Sequence, residues 1–397
     1  MTKYQRKVLL STSAGIALEN MDIMFLAFSL SSMIATFNIS GTQAGLIATI
    51  TNLGMLVGGI FFGLMADKYG RVKVFSQTVI LFSIASLLMY FASNIYLVYL
   101  FRFIAGIGAG GEYGACMSLI SESFSKKQIG RASSVAAIGA QVGAALAAIL
   151  AAVIIPLFGW KMLYVIGVLP VLMVLFIRRG LKEPEAFEET KETGKKTKLS
   201  HLFQTKHMAW QTTGLSLMVT VQIAGYFGLM NWLPSIMQAQ LGLSVSGSSL
   251  WMISTILGMS LGMMTFGIIM DKVGPTLAFG LFLICSSLSV FLLVLAHSQW
   301  SLVAAAVVVG YFINGMYGGY GAIISSLYPT EIRATANNFI MNLGRAVGGF
   351  SSIVIGFLMD HYSLTAVILF LSGIYLISLL VLMTLSGVRD LKTSLQQ

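Results

Sequence analysis

Runs of about 20 apolar residues recur from one end of this chain to the other, and no other feature limits its fold so strongly. Backbone placed in hydrocarbon must satisfy its own N–H and C=O groups, so each run is expected to be a helix. Windows of about 19 residues give twelve spans, at roughly 8–36, 42–66, 74–93, 96–121, 130–157, 160–180, 210–234, 245–271, 275–296, 300–328, 333–358 and 363–387. Composition agrees, with 57% hydrophobic and 10% charged residues, where soluble domains run about 45–50% and 25%. The expected class is an all-α membrane protein, and a soluble enzyme is excluded.

The formal charge of +10 does not point to nucleic acid. The basic residues lie in short gaps between apolar runs, with no basic face carrying interleaved aromatics. An even number of spans puts both termini on one side. If that side is the cytoplasm, the inner segments hold nearly all the basic residues, from Lys3, Arg6 and Lys7 to Arg389 and Lys392, and the outer loops hold only Lys161. The positive-inside rule therefore orients the chain with cytoplasmic termini. Its N-terminus imitates a signal peptide, but the apolar stretch continues past Glu19 and Asp22 without an Ala-x-Ala site, as expected of a retained first span. Cys116 and Cys285 each fall inside an apolar run, so no disulfide framework is expected. His201, His207, His297 and His361 show no metal-ligand spacing and no P-loop is present, so neither metal, cofactor nor ATP drive is expected.

The chain repeats. Gly63-x3-Asp67-Lys68-x-Gly70 follows the second span and Gly267-x3-Asp271-Lys272-x-Gly274 the eighth, each position separated by 204 residues, as 271 is from 67. A register kept at four positions argues for a duplicated unit. The expected organisation is a six-helix bundle over 1–180, a hydrophilic cytoplasmic linker over 181–208 and a second six-helix bundle over 209–397. Parallel six-helix halves of this kind build transporters with a site near the midplane.

Gly63-x3-Asp67-Lys68-x-Gly70-Arg71-x-Lys73 resembles the loop signature of the major facilitator superfamily. Leu18-Glu19-Asn-Met-Asp22, Arg102-x3-Gly106-x3-Gly110-Gly111-Glu112-Tyr113-Gly114, Glu122-Ser-Phe124, Trp160 and Tyr328-Pro-Thr-Glu331-Ile-Arg333-Ala-Thr335 are similar to the organic-anion/proton symporters of that superfamily. The nearest are the sialate and monocarboxylate branch, then the aromatic-acid and niacin carriers. The resemblance implies a proton-coupled carrier of a small organic anion, with no enzymatic activity.

The charges point the same way on physical grounds. Five ionisable residues fall well inside spans: Glu19, Asp22, Arg102, Glu112 and Arg345. Each costs about 2.5–3.5 kcal/mol at a helix centre, which makes it a functional candidate by default. Glu19 and Asp22 are three residues apart and share a helix face, so with Glu112 they are the proton-coupling candidates. Arg102, in the outer third of its span, can attract an anion or lock the outer end by pairing with Asp22. Arg345 lies twelve residues from Arg333, about 18 Å deep in a core of about 30 Å. Its planar fork suits a carboxylate, and the 204-residue offset makes Gln141 its counterpart and polar partner.

Gln222, Tyr226 and Asn231 of span seven, with Asn314, Tyr317 and Tyr320 of the glycine-rich span ten, complete the substrate-binding candidates. The gating candidates are Gly63, Asp67, Lys68, Gly70, Arg71, Arg131, Asp271, Lys272, Glu331 and Arg333, with Arg131 the expected partner of Asp67. The expected activity is import of a small carboxylate with protons by a monomer in the lipid bilayer of a plasma membrane, bacterial from its short loops. An uncoupled facilitator or a proton-driven efflux carrier is the alternative.

Overall fold

The computed structural model of the chain describes residues 1–39, 41–168, 183, 198–241, 245–296 and 298–395. The apolar runs are helices: α1 (Lys3–Phe37), α2 (Gly41–Tyr69), α3 (Arg71–Leu88), α4 (Ile95–Ser123), α5 (Ile129–Phe158) and α6 (Lys161–Ile166). After the linker come α7 (Lys206–Leu241), α8 (Val245–Val273), α9 (Pro275–Ser289), α10 (Gln299–Gly315), α11 (Tyr317–Leu327), α12 (Arg333–Gly348), α13 (Ser351–His361), α14 (Leu364–Thr384) and α15 (Ser386–Leu395). Among the described residues, nine helices are long and apolar enough to cross a membrane. Most of span six and of the expected linker lies outside the described residues. The tenth expected span is interrupted at Met316, inside its glycine run, and the eleventh at Gly349 and Phe350. Glycine-rich stretches are where helices bend.

Local signals fix the helix starts. The Asn94 side chain accepts from Leu97 N–H and caps α4, Ser298 makes a capping box at α10, and Ser363 caps α14. Pro275 sits at the first position of α9, where a missing N–H costs nothing.

The described residues divide into two compact units. One comprises Met1–Ser125, Ala136–Gln204 and Ile324–Asn342, the other Lys126–Val135, Thr205–Ile323 and Leu343–Gln397. By this division the start of α5 falls in the second unit and most of α12 in the first. Within the first unit, α2 and α4 approach so closely that a methyl on Gly54 would meet the backbone of Phe103, one on Gly58 that of Ile107, and one on Gly106 that of Thr51. In the second unit the same collisions occur 204 positions on: Gly258 with Val307, Gly262 with Tyr311 and Gly310 with Thr255. Small residues that let backbones touch are how helices associate in lipid, where apolar surface gains nothing by leaving the solvent. The duplication inferred from the loops is therefore repeated in packing.

Candidate functional site

In the first unit, Arg102 of α4 donates to Asp22 of α1 at 2.8 Å, with both side chains buried. Asp22 also accepts from the Ser86 hydroxyl of α3, and the Arg102 Nε lies 3.4 Å from Thr51 Oγ1 of α2. Asp22 is therefore a buried acid paired with a cation. The pairing with Asp22 expected as one of the two readings of Arg102 is the contact present. Glu19 and Glu112 are also buried. The Glu112 carboxylate packs where a Cβ of Gly15 on α1 would stand, and both acids lie within electrostatic reach of the Cys116 thiol. Gln141 of α5 is buried, with no hydrogen-bond partner for its Oε1 among the described residues.

In the second unit a polar cluster joins α7, α10, α11 and α12. Arg345 donates to the Tyr317 hydroxyl at 3.0 Å, and Tyr226 lies within electrostatic reach of both. One turn before Tyr226, buried Gln222 donates to Asn314 Oδ1 at 2.8 Å. Tyr320 stands apart from this group: fully buried, it donates its hydroxyl to the Met218 carbonyl at 3.1 Å and packs at a tilt on Phe279, ring centroids 4.9 Å apart. The side chain of Asn231 lies outside the described residues.

At the loop signature, Asp67 accepts from the backbone N–H of Ala334 at 3.0 Å and of Thr335 at 2.8 Å, and from the Thr335 hydroxyl at 2.8 Å. It thereby caps the positive N-terminal end of α12. Its cationic partner is Arg71 at 3.2 Å, not the expected Arg131. Arg131, with Gly130, donates its backbone N–H to Asp271, at 3.1 and 3.0 Å. The two caps are copies, for 271 is 204 beyond 67, and 334 and 335 are 204 beyond 130 and 131. Each is followed by a glycine in the left-handed region, Gly70 at φ 115° and Gly274 at φ 87°. Gly63 lets Thr335 approach α2. Arg71 goes on to bind Glu122 (3.1 Å), which also holds Arg333 (3.1 Å), and to reach the Thr330 carbonyl at 2.5 Å. Lys68 and Lys272 are exposed, Lys68 lying 4.8 Å over the Tyr69 ring, and Glu331 is partly buried.

Residues 12–349, and again 215–396, match the Major Facilitator Superfamily. The chain belongs to that superfamily. It is 36% identical to a putative metabolite transport protein of Haemophilus influenzae, over 96% of this chain and 95% of the relative. It is 32% identical to the sialic acid transporter NanX of Escherichia coli, over 96% and 93%. The fold superposes on the proton:xylose symporter XylE with a TM-score of 0.82 at 16% identity, covering 98% of this chain and 99% of that one. As a superfamily member it is a transport protein with the twelve-helix fold, and not an enzyme.

Several residues of this superfamily member escaped the pattern in its sequence. Thr335 and Glu122 stand in the quoted motifs, but the hydrogen bond of the first to Asp67 and the ion pair of the second with Arg333 cross 268 and 211 positions of chain. Glu183, from the linker, accepts from the N–H groups of Arg71, Val72 and Lys73 at 2.8, 3.2 and 3.0 Å, capping α3. Its Lys-Glu-Pro-Glu setting looked like solvated linker, and only the three free N–H groups at the start of α3 signal the need for such a partner.

Proposed function

We propose that this superfamily member imports a small organic anion, a carboxylate, together with protons, across a bacterial plasma membrane by alternating access. The observation that carries the substrate class is the pairing of Arg345 with Tyr317, beside Tyr226. A guanidinium offers a planar fork matched to carboxylate, and phenols add neutral donors without a competing negative charge. Gln222 and Asn314 are assigned to the remaining polar groups of the substrate. The Escherichia coli relative is named for sialic acid, itself a carboxylate, which supports the same class.

Proton coupling is assigned to Asp22, with Glu19 and Glu112 as a second acidic station. Protonating Asp22 removes one member of a buried ion pair and leaves Arg102 uncompensated, which favours a rearrangement of the helices that bury it. Proton load and conformation are thereby linked. With cytoplasmic termini, both aspartate caps belong to the cytoplasmic end. Asp67 with Arg71, Glu122 and Arg333, and Asp271 with Gly130 and Arg131, are the contacts that hold this end shut and break when it opens.

A panel of radiolabelled monocarboxylates, sugar acids, aromatic acids and niacin, offered to proteoliposomes under an imposed pH gradient, tests the reading. Accumulation of a carboxylate that depends on the gradient is expected. Gradient-independent equilibration would leave an uncoupled facilitator, and accumulation of neutral compounds only would exclude the anion site.

A further inference from the structure

Asn338, buried in α12, accepts from the Gly114 N–H at 2.6 Å and donates to the Gly111 carbonyl at 3.1 Å. One turn on, buried Asn342 donates to the Gly110 carbonyl at 2.7 Å. The Gly114 N–H and the Gly110 C=O are the two ends of a single i→i−4 rung of α4. Two asparagines one turn apart thus hold both ends of one rung, and Glu112 lies within it. Side chains that enter the i→i−4 ladder are an identifiable cause of helix distortion. Glycine makes the approach possible, since the Asn338 amide occupies the space of a Gly114 Cβ and the Asn342 amide that of a Gly59 Cβ.

The duplicated positions lack this device. At an offset of 204, Ser134 replaces Asn338 and Ile138 replaces Asn342. The Ser134 hydroxyl packs on Gly318 and Gly267 and has no hydrogen-bond partner among the described residues.

We propose that Asn338 and Asn342 are positioning residues of the transport cycle, clamping the Gly110–Gly114 rung beside Glu112 while the Ile324–Asn342 segment is seated and releasing it when that segment leaves. The inference rests on the reading of Asp67 as a latch that opens. The helix is continuous over Ile95–Ser123, so opening strands no backbone group: the rung keeps its own partners as the amides pass to water, and the unmade-bond penalty of a buried polar group is avoided. It also makes the backbone around Glu112 depend on where α12 stands.

The test uses Cys116, buried on α4 two residues beyond Gly114, as its own probe. In a Cys285→Ser background it is the sole thiol, because the chain has two cysteines. Its labelling by N-ethylmaleimide is followed in proteoliposomes against pH, each variant being compared with the background protein at the same pH. In Asn338→Asp the new carboxyl can still accept from Gly114, but donates to Gly111 only when protonated. Labelling should match the background protein at acid pH and rise roughly tenfold as pH increases. Asn342→Ala and Asp67→Asn should label faster at every pH. If Asn338→Asp and Asn342→Ala follow the background protein at every pH while Asp67→Asn labels faster, the clamp is overturned and the latch stands. Unchanged labelling in Asp67→Asn alone would strike the latch instead.

Discussion

Burial decides what each charge can do. Asp22 and Arg102 are both out of water and 2.8 Å apart, and removing one member of such a pair costs about 3–5 kcal/mol because the other is left uncompensated. Asp22→Asn is therefore expected to lower the thermal stability of the purified protein and abolish uphill accumulation, while exchange between pre-equilibrated compartments persists. Asp22→Asn with Arg102→Gln should recover much of the stability without restoring accumulation, a non-additivity that a double-mutant cycle measures directly. Full gradient-driven accumulation by Asp22→Asn would remove this residue from coupling. Arg345 tests the anion. Lysine keeps the charge but loses the fork, so affinity for the transported carboxylate should fall about tenfold in Arg345→Lys and about a hundredfold or more in Arg345→Ala. Equal binding by wild type and Arg345→Ala would reassign this residue to packing with Tyr317.

Three helices are tied at their starts by acids from elsewhere in the chain. Asp67 caps α12, Glu183 caps α3 and Asp271 caps α5, each a carboxylate on N–H groups that the helix itself cannot use. The α9 copy of the α3 start needs no such acid at its first position, because Pro275 has no N–H there. Gly70 links the first two caps, with φ 115° and the Glu183 carboxylate in the space of a Cβ. Gly70→Ala should cost about 1 kcal/mol or more in left-handed strain alone, and should displace Glu183 besides. A melting temperature at or above wild type for Gly70→Ala would contradict the cap. Asp67→Asn should slow transport without changing which acids are accepted. An altered acid preference in the uptake panel would put this loop in the substrate path.

At the scale of the molecule, the twelve spans and their repeat were legible because a 30 Å hydrocarbon layer imposes one length on every helix and because duplicated loops keep a common offset. The same offset carries over to the glycine contacts of α2 with α4 and of α8 with α10, and to the two aspartate caps. What could not be read was partnership across distance. Periodicity gives the depth of Asp22, Asp67 and Arg102, but not that Asp22 meets Arg102 80 positions away or that Asp67 meets Thr335 268 away. Hence Arg131 was matched to Asp67 on shared level alone, whereas the true mate of its backbone is the duplicate, Asp271. Nothing in the pattern of α12 marks Asn338 and Asn342 as the partners of Gly110, Gly111 and Gly114, more than 220 positions away. The claim that binds these scales is that the carboxylate and protons travel together. Recording external pH with an electrode while that carboxylate is added to de-energised, weakly buffered proteoliposomes tests it most directly. Alkalinisation that starts with the addition, depends on active protein and is absent with Asp22→Asn is the predicted result; substrate entry with no change in external pH would contradict it.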